Sequence, residues 1–208
     1  MGQWMVLYKV KLRRCMDDKL NVKVILGSTR ENRFSELVGA WLMRELAKRK
    51  DMTVELLDLR DFDMPLFEEP VSPSSKTAPY TQEAVVRWTA KIAEADAFLV
   101  VAPEYNHGYP AVLKNALDYV YQEWNRKPIG FVSYGSAMGS RSVEQLRLIA
   151  IELQMAPIRN AIHMPWSTVE AGRKDPESAF DEYNDRVKGL ADQLAWWARP
   201  LRSARSSS

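Results

Sequence analysis

From Val22 onward, short apolar runs alternate with segments whose apolar residues recur every three or four positions. Val22 to Leu26 is an unbroken apolar run around one lysine, and it stops at Gly27. Phe34, Leu37, Val38, Trp41, Leu42 and Leu46 then share one helical face within 34–50. Met52 to Leu59 reads as a second strand. After an irregular stretch carrying Pro65, Pro70, Pro73 and Pro79, a helical pattern covers Thr81 to Ala95. Ala97 to Ala102 is wholly apolar, as a strand buried on both faces must be. Pro110 opens a helix that runs through Tyr121, since a missing N–H costs nothing at a first helical turn. Ile129 to Ser133 and Ile158 to His163 are the remaining strands, with Val143, Leu146, Ala150 and Leu153 as the helical stripe between them. Phe180, Tyr183, Val187, Leu190, Leu194 and Trp197 mark a final helix. Five strands alternating with helices predict a parallel sheet covered on both faces, a three-layer α/β sandwich.

Such a sheet is of flavodoxin or Rossmann type, and its ligands bind beyond the carboxyl ends of the strands. Three loops are therefore the places to look. Gly27-Ser28-Thr29-Arg30-Glu31-Asn32-Arg33-Phe34-Ser35 offers hydroxyls, two arginines and the amides of a helix N-terminus. Free N–H groups and the positive end of the helix dipole favour an anion there. The loop lacks G-x-G-x-x-G and G-K-[ST], so a single monophosphate suits it better than a dinucleotide or a nucleoside triphosphate. Ordinary helix capping with solvated arginines would leave the same residues. Pro103-Glu104-Tyr105-Asn106-His107-Gly108-Tyr109-Pro110 combines turn formers and aromatics and could present backbone groups to a flat heterocycle. Ser133-Tyr134-Gly135-Ser136-Ala137-Met138-Gly139-Ser140 is rich in small residues that permit close backbone approach. Both could equally be plain strand-to-helix turns.

Composition narrows the setting. The formal net charge is +2 over 208 residues, which gives no global footprint for nucleic acid. One cysteine, Cys15, permits no intrachain disulfide and points to a reducing, cytoplasmic compartment. His107 and His163 lack ligand spacing, so no metal site is expected. No apolar run approaches the ~20 residues of a membrane span. Residues 1–16 show no period and are expected to be an extension, 17–199 a single domain, and the Ser/Arg-rich residues 200–208 a disordered tail.

Gly27-Ser28-Thr29-Arg30, Pro103-Glu104-Tyr105-Asn106 with Leu113-Lys114-Asn115-Ala116-Leu117-Asp118-Tyr119, Ser133-Tyr134-Gly135 and the linker Asp61-Phe62-Asp63-Met64-Pro65-Leu66 together resemble the NADPH-dependent FMN reductase family, which includes quinone, azo-dye and chromate reductases. The resemblance implies a flavodoxin-like fold with strand order 2-1-3-4-5, bound FMN, and NADPH or NADH as co-substrate. It also implies a homodimer or homotetramer in which neighbours help wall the flavin. Carried over by position, Ser28, Arg30, Arg33 and Ser35 would hold the phosphate. Pro103, Glu104, Tyr105 and Asn106 would line the ring, largely through backbone atoms, and Tyr134, Gly135 and Ser136 would close its other edge. Ser140 departs from the second glycine of many relatives. No catalytic side chain is expected, because a bound flavin carries the chemistry. The expected reaction is ping-pong transfer to a flavin, quinone, azo or similar small acceptor. An electron carrier without NAD(P)H turnover, or a non-catalytic FMN-binding or regulatory protein, would use the same fold.

Overall fold

The computed structural model describes residues 19–76 and 78–207. The expectation for residues 1–16 lies outside the described residues. Five parallel strands form one sheet in the order β2-β1-β3-β4-β5. They are β1 Leu20–Leu26, β2 Met52–Asp58, β3 Ala97–Pro103, β4 Pro128–Tyr134 and β5 Ala156–Met164. The helices are α1 Ser35–Ala47, α2 Glu83–Ala93, α3 Ala111–Asp118, α4 Ser140–Glu152, α5 Trp166–Lys174 and α6 Asn184–Ser206.

The central strand explains the layering. All seven residues of β3 are buried, and they divide by the two-residue period of a strand. Ala97, Leu99 and Val101 enter a core with Val38, Trp41 and Leu42 of α1 and Leu190 and Leu194 of α6. Phe98, Val100 and Ala102 enter the other, with Trp88 of α2, Leu113 of α3 and Leu146 of α4. Trp41, Trp88 and Trp124 are fully buried in these cores. Each buries on the order of 200 Å²; Trp41 and Trp88 anchor α1 and α2 to the sheet, and Trp124 the short turn before β4.

Two features differ from the sequence reading. The first is α5, nine residues that open after Pro165 and that the periodicity did not reveal. The second is the end of the chain. Residues 200–207 are not a disordered tail: α6 continues through Pro200 to Ser206. The cause is a set of ionic contacts from distant parts of the chain. Arg202 and Arg205 both pair with Asp96, which precedes β3. Arg202 also donates to the carbonyl of Lys19 at 2.8 Å, and Arg205 to that of Arg126 at 2.6 Å. Asp96 in turn accepts the backbone N–H of Asn21 at 2.9 Å, so the end of α6 is tied to the start of β1.

The register brings the three predicted loops to one edge. Pro103 lies opposite Tyr134, and Gly27 N–H donates to the Val101 carbonyl at 2.9 Å. The segments after β1, β3 and β4 therefore leave the sheet side by side. β1 leads outward to β2 while β3 leads the other way, which makes the β1/β3 boundary the switch point where open α/β sheets bind ligands.

Candidate functional site

The loop after β1 is held open by a buried ion pair. The guanidinium of Arg33, only 2% exposed, bonds both carboxylate oxygens of Asp58 at the end of β2 and also the Ser28 carbonyl. Arg33 is thus engaged with Asp58 while also lining the cleft. Asp58 is held below the usual carboxylate range: burial opposes this, but the hydrogen bond and charge of Arg33 and the Arg60 N–H outweigh it. Arg60 braces the loop from outside by donating to the carbonyls of Thr29 and Arg30. Neither Asp58 nor Arg60 was singled out by motif. The signal lay in the predicted strand order, which sets an acidic residue ending β2 next to the loop that follows β1.

Arg30 and Ser35 are not engaged in this way. Arg30 makes no ion pair among the described residues, and its guanidinium lies 5.2 Å from the centre of the Tyr105 ring. Ser35 is the first residue of α1 and is fully buried; its Oγ makes no hydrogen bond of good geometry and has the Tyr134 phenol as its polar neighbour. A buried hydroxyl without a partner costs about 1–3 kcal/mol, which a bound acceptor would recover. Asn32 takes φ of 52° in the loop before the helix, and the Glu36 and Leu37 amides of its first turn donate to the Arg33 and Phe34 carbonyls. Ser28 is occupied locally, its Oγ lying 2.8 Å from the Tyr105 hydroxyl. That contact joins the first loop to the second.

The loop after β3 is a two-residue hairpin. Tyr105 and Gly108 exchange backbone hydrogen bonds of 2.8 and 3.1 Å, while Asn106 and His107 take φ of 49° and 76°. Two successive left-handed residues are what a type I′ turn requires. Glu104 N–H goes to the Tyr134 carbonyl at 3.1 Å. Tyr105 and Gly108 thus close the turn, Glu104 N–H ties its base to β4, and the tip, Asn106 and His107, is exposed. Glu104, which lines the cleft, pairs its nearly buried carboxylate with Arg141 at the start of α4.

The third loop is compact. Tyr134 is 6% exposed and meets Phe34 edge-on at 5.1 Å. Burial pushes its phenol well above the usual value. Gly135 and Gly139 have φ of 151° and 71°. A Cβ on Gly139 would lie 2.6 Å from Ser133 Cβ and 2.8 Å from the Tyr134 nitrogen. Gly139→Ala is therefore expected to cost about 2 kcal/mol or more through strain and overlap, read by thermal unfolding. Ser140 has no positive φ and starts α4, so a serine there is accommodated. Ser136 is exposed beside it.

These loops enclose a cleft of about 190 Å³ lined by Arg30, Pro103, Tyr105, Tyr134, Gly135 and, from the unforeseen α5, Trp166 and Arg173. Arg173 donates to the Asn32 carbonyl at 3.2 Å. Trp166, 53% exposed, stands at the first position of α5. Trp166, Val169 and Arg173 recur at i, i+3 and i+7 behind Pro165, a short helical signal that nine residues made easy to miss. A larger hollow of about 480 Å³ lies between the proline-rich segment, α2 and the end of α3, lined by Tyr80, Val86, Tyr119 and Glu123. It sits away from the three loops, and no group of cations converges on it.

With this geometry in hand, known proteins can be compared. Residues 20–167 match the sequence model of a family described as NADPH-dependent FMN reductase. The chain is 38% identical over 170 residues to an NAD(P)H-dependent FMN reductase of Schizosaccharomyces pombe, covering 80% of this chain and 84% of that one. It is 34% identical over 197 residues to a quinone reductase of Escherichia coli K12, covering 83% of this chain and 100% of that one. Among solved structures, the flavoenzyme NAD(P)H:(acceptor) oxidoreductase of Paracoccus denitrificans superposes with a TM-score of 0.59 at 21% identity, over 82% of this chain and 98% of that one.

Proposed function

This chain belongs to the NADPH-dependent FMN reductase family, and from that premise we propose that its cleft grips FMN by the phosphate and serves a nicotinamide and an electron acceptor in turn. The chain is an NAD(P)H-dependent flavin oxidoreductase. One observation carries the placement. Arg30, without an ion pair among the described residues, lines the cleft in the loop that leads to α1, and Ser35, with a buried hydroxyl that makes no hydrogen bond of good geometry, begins that helix. That combination of planar cation, hydroxyl donor and helix dipole matches a phosphomonoester.

FMN held here would supply the redox chemistry between nicotinamide and acceptor. The side chains hold and shape. Arg30, Ser35 and the positive end of the α1 dipole take the phosphate, while Arg33 keeps its loop in place through Asp58. The hairpin Pro103–Asn106 borders one side of the ring, and the turn at Tyr134, Gly135 and Ser136 borders the other. The N-terminus of α4 lies beyond Gly139 and favours negative charge at that edge. A cleft of about 190 Å³ is smaller than the ~300–1,000 Å³ of sites that enclose a ligand, which supports completion of the wall by a second copy in a homodimer or homotetramer. Among the described residues no helix is long and apolar enough to cross a membrane. A single cysteine suits the cytoplasm. The acceptors proposed are flavins, quinones, azo compounds and similar small molecules.

Anaerobic addition of NADPH or NADH to the FMN-loaded protein tests this. Rapid loss of the visible flavin absorbance, and its return on adding a quinone, are the expected results. Steady-state rates against both substrates should give parallel double-reciprocal lines. Absorbance that a nicotinamide leaves unchanged would favour the electron-carrier alternative, and intersecting lines would exclude the ping-pong order.

A further inference from the structure

The turn that borders the ring contains backbone strain, and the structure holds it with a relay from outside the loop. Met138 takes φ of 57° and Gly139 follows at 71°. A left-handed conformation at a non-glycine residue persists only where surrounding contacts over-determine it. Two contacts do so from inside the turn: Met138 N–H donates to the Gly135 carbonyl at 2.9 Å, and Ser140 N–H to that of Ala137 at 3.0 Å. A third comes from the sheet. Ser133, fully buried at the end of β4, donates its hydroxyl hydrogen to the Met138 carbonyl at 2.9 Å. With that hydrogen committed, the hydroxyl can only accept from His163 Nδ1, 2.8 Å away on β5 and directly opposite in the register. The imidazole must therefore carry its proton on Nδ1.

We infer that His163 is a positioning residue for the flavin-binding turn: its Nδ1–H fixes the Ser133 hydroxyl, which holds the Met138 carbonyl and with it the conformation of Gly135–Gly139. The inference rests on the assignment of FMN to this cleft, because only there does the turn meet a ligand. His163 touches neither the ring nor the nicotinamide in this account. Burial and the charge of Arg147 on α4 keep the ring below its ordinary pKa, against the Met138 carbonyl, which favours the proton. The neutral ring with a defined tautomer is thus the working form at pH 7. The sequence reading treated His163 only as one of two histidines without ligand spacing.

Two near-isosteric replacements separate a relay from mere filling of space. An asparagine amide can donate from about the place of Nδ1, whereas a glutamine amide donates from the place of Nε2. The first readout is hydrogen exchange at the Met138 and Ser140 amides of the flavin-free protein; the second is FMN affinity by titration. His163→Asn should stay close to wild type in both. His163→Gln and His163→Ala should exchange about fivefold faster at these amides and bind FMN about fivefold more weakly, the effect of one net hydrogen bond. Unchanged exchange in His163→Gln, or His163→Asn as disturbed as His163→Ala, would overturn the inference. Should the wild-type protein take up no FMN while the exchange pattern follows the prediction, the relay stands and the flavin assignment alone is overturned.

Discussion

Replacing Asp58 with alanine is expected to destabilise the flavin-free protein by about 3 kcal/mol. The reason is the partner left behind. Arg33 is 2% exposed and cannot recover hydration by a small movement, so removal of the carboxylate strands a buried cation. Breaking one side of a buried pair costs roughly 3–5 kcal/mol, and the remaining contacts to Glu36 and the Ser28 carbonyl keep the effect at the lower end. For a chain of this size that corresponds to a fall in Tm of about 6–12 °C by circular dichroism. A double variant, Arg33→Met with Asp58→Ala, should recover part of the loss, since no charge is then stranded. A double variant less stable than Asp58→Ala would show that the pair is not the source. The acid limb gives a second check. Because the folded-state pKa of Asp58 is depressed, its stabilisation is fully present above the unfolded value of about 3.9 and is lost as pH falls through the folded value. The gap between wild type and Asp58→Ala should therefore close only below about pH 4.

Arg30→Ala should weaken FMN binding by about 10- to 100-fold and leave riboflavin binding unchanged. A hydrogen bond to a charged group is worth about 1.5–3 kcal/mol, and riboflavin has no phosphate to lose it from. Arg30→Lys should fall between, because an ammonium keeps the charge and loses the planar fork. Ser35→Ala complements it. The Oγ makes no hydrogen bond of good geometry and has only the Tyr134 phenol as polar neighbour, so its removal should change the Tm of the flavin-free protein little while FMN affinity drops about fivefold. A marked loss of stability in Ser35→Ala would mean that the hydroxyl serves the fold rather than a ligand. Equal losses for FMN and riboflavin in Arg30→Ala would mean that Arg30 acts on the ring through Tyr105.

The three inner strands β1, β3 and β4 were legible because nearly all their residues are buried, whereas the edge strands β2 and β5 are buried only in part. The apolar run Ala97–Ala102 lies within β3, and Val22–Leu26 within β1. Gly27 marked the first loop because a side chain there would collide with Leu113 and the Val101 carbonyl. What escaped the sequence depends on partners far along the chain. Arg33 reads as a phosphate ligand, and its pairing with Asp58, 25 residues later, emerges only in the fold. Arg202 and Arg205 read as solvated until Asp96, more than 100 residues earlier, draws them onto the start of the sheet. In α5 only Thr168, Val169 and Gly172 are buried, too few for a visible stripe, so Trp166 and Arg173 went unnoticed at the cleft. His163 was visible as a residue, but its role is set by register with Ser133, which no local pattern reveals.

The central claim is that this chain selects its flavin by the phosphate. Side-by-side calorimetric titration of the flavin-free wild-type protein with FMN and with riboflavin tests it most directly. The account predicts one FMN per chain, bound at least about 100-fold more tightly than riboflavin, in keeping with several charge-assisted hydrogen bonds at one terminus. Equal affinities, or no uptake of either flavin, would contradict it.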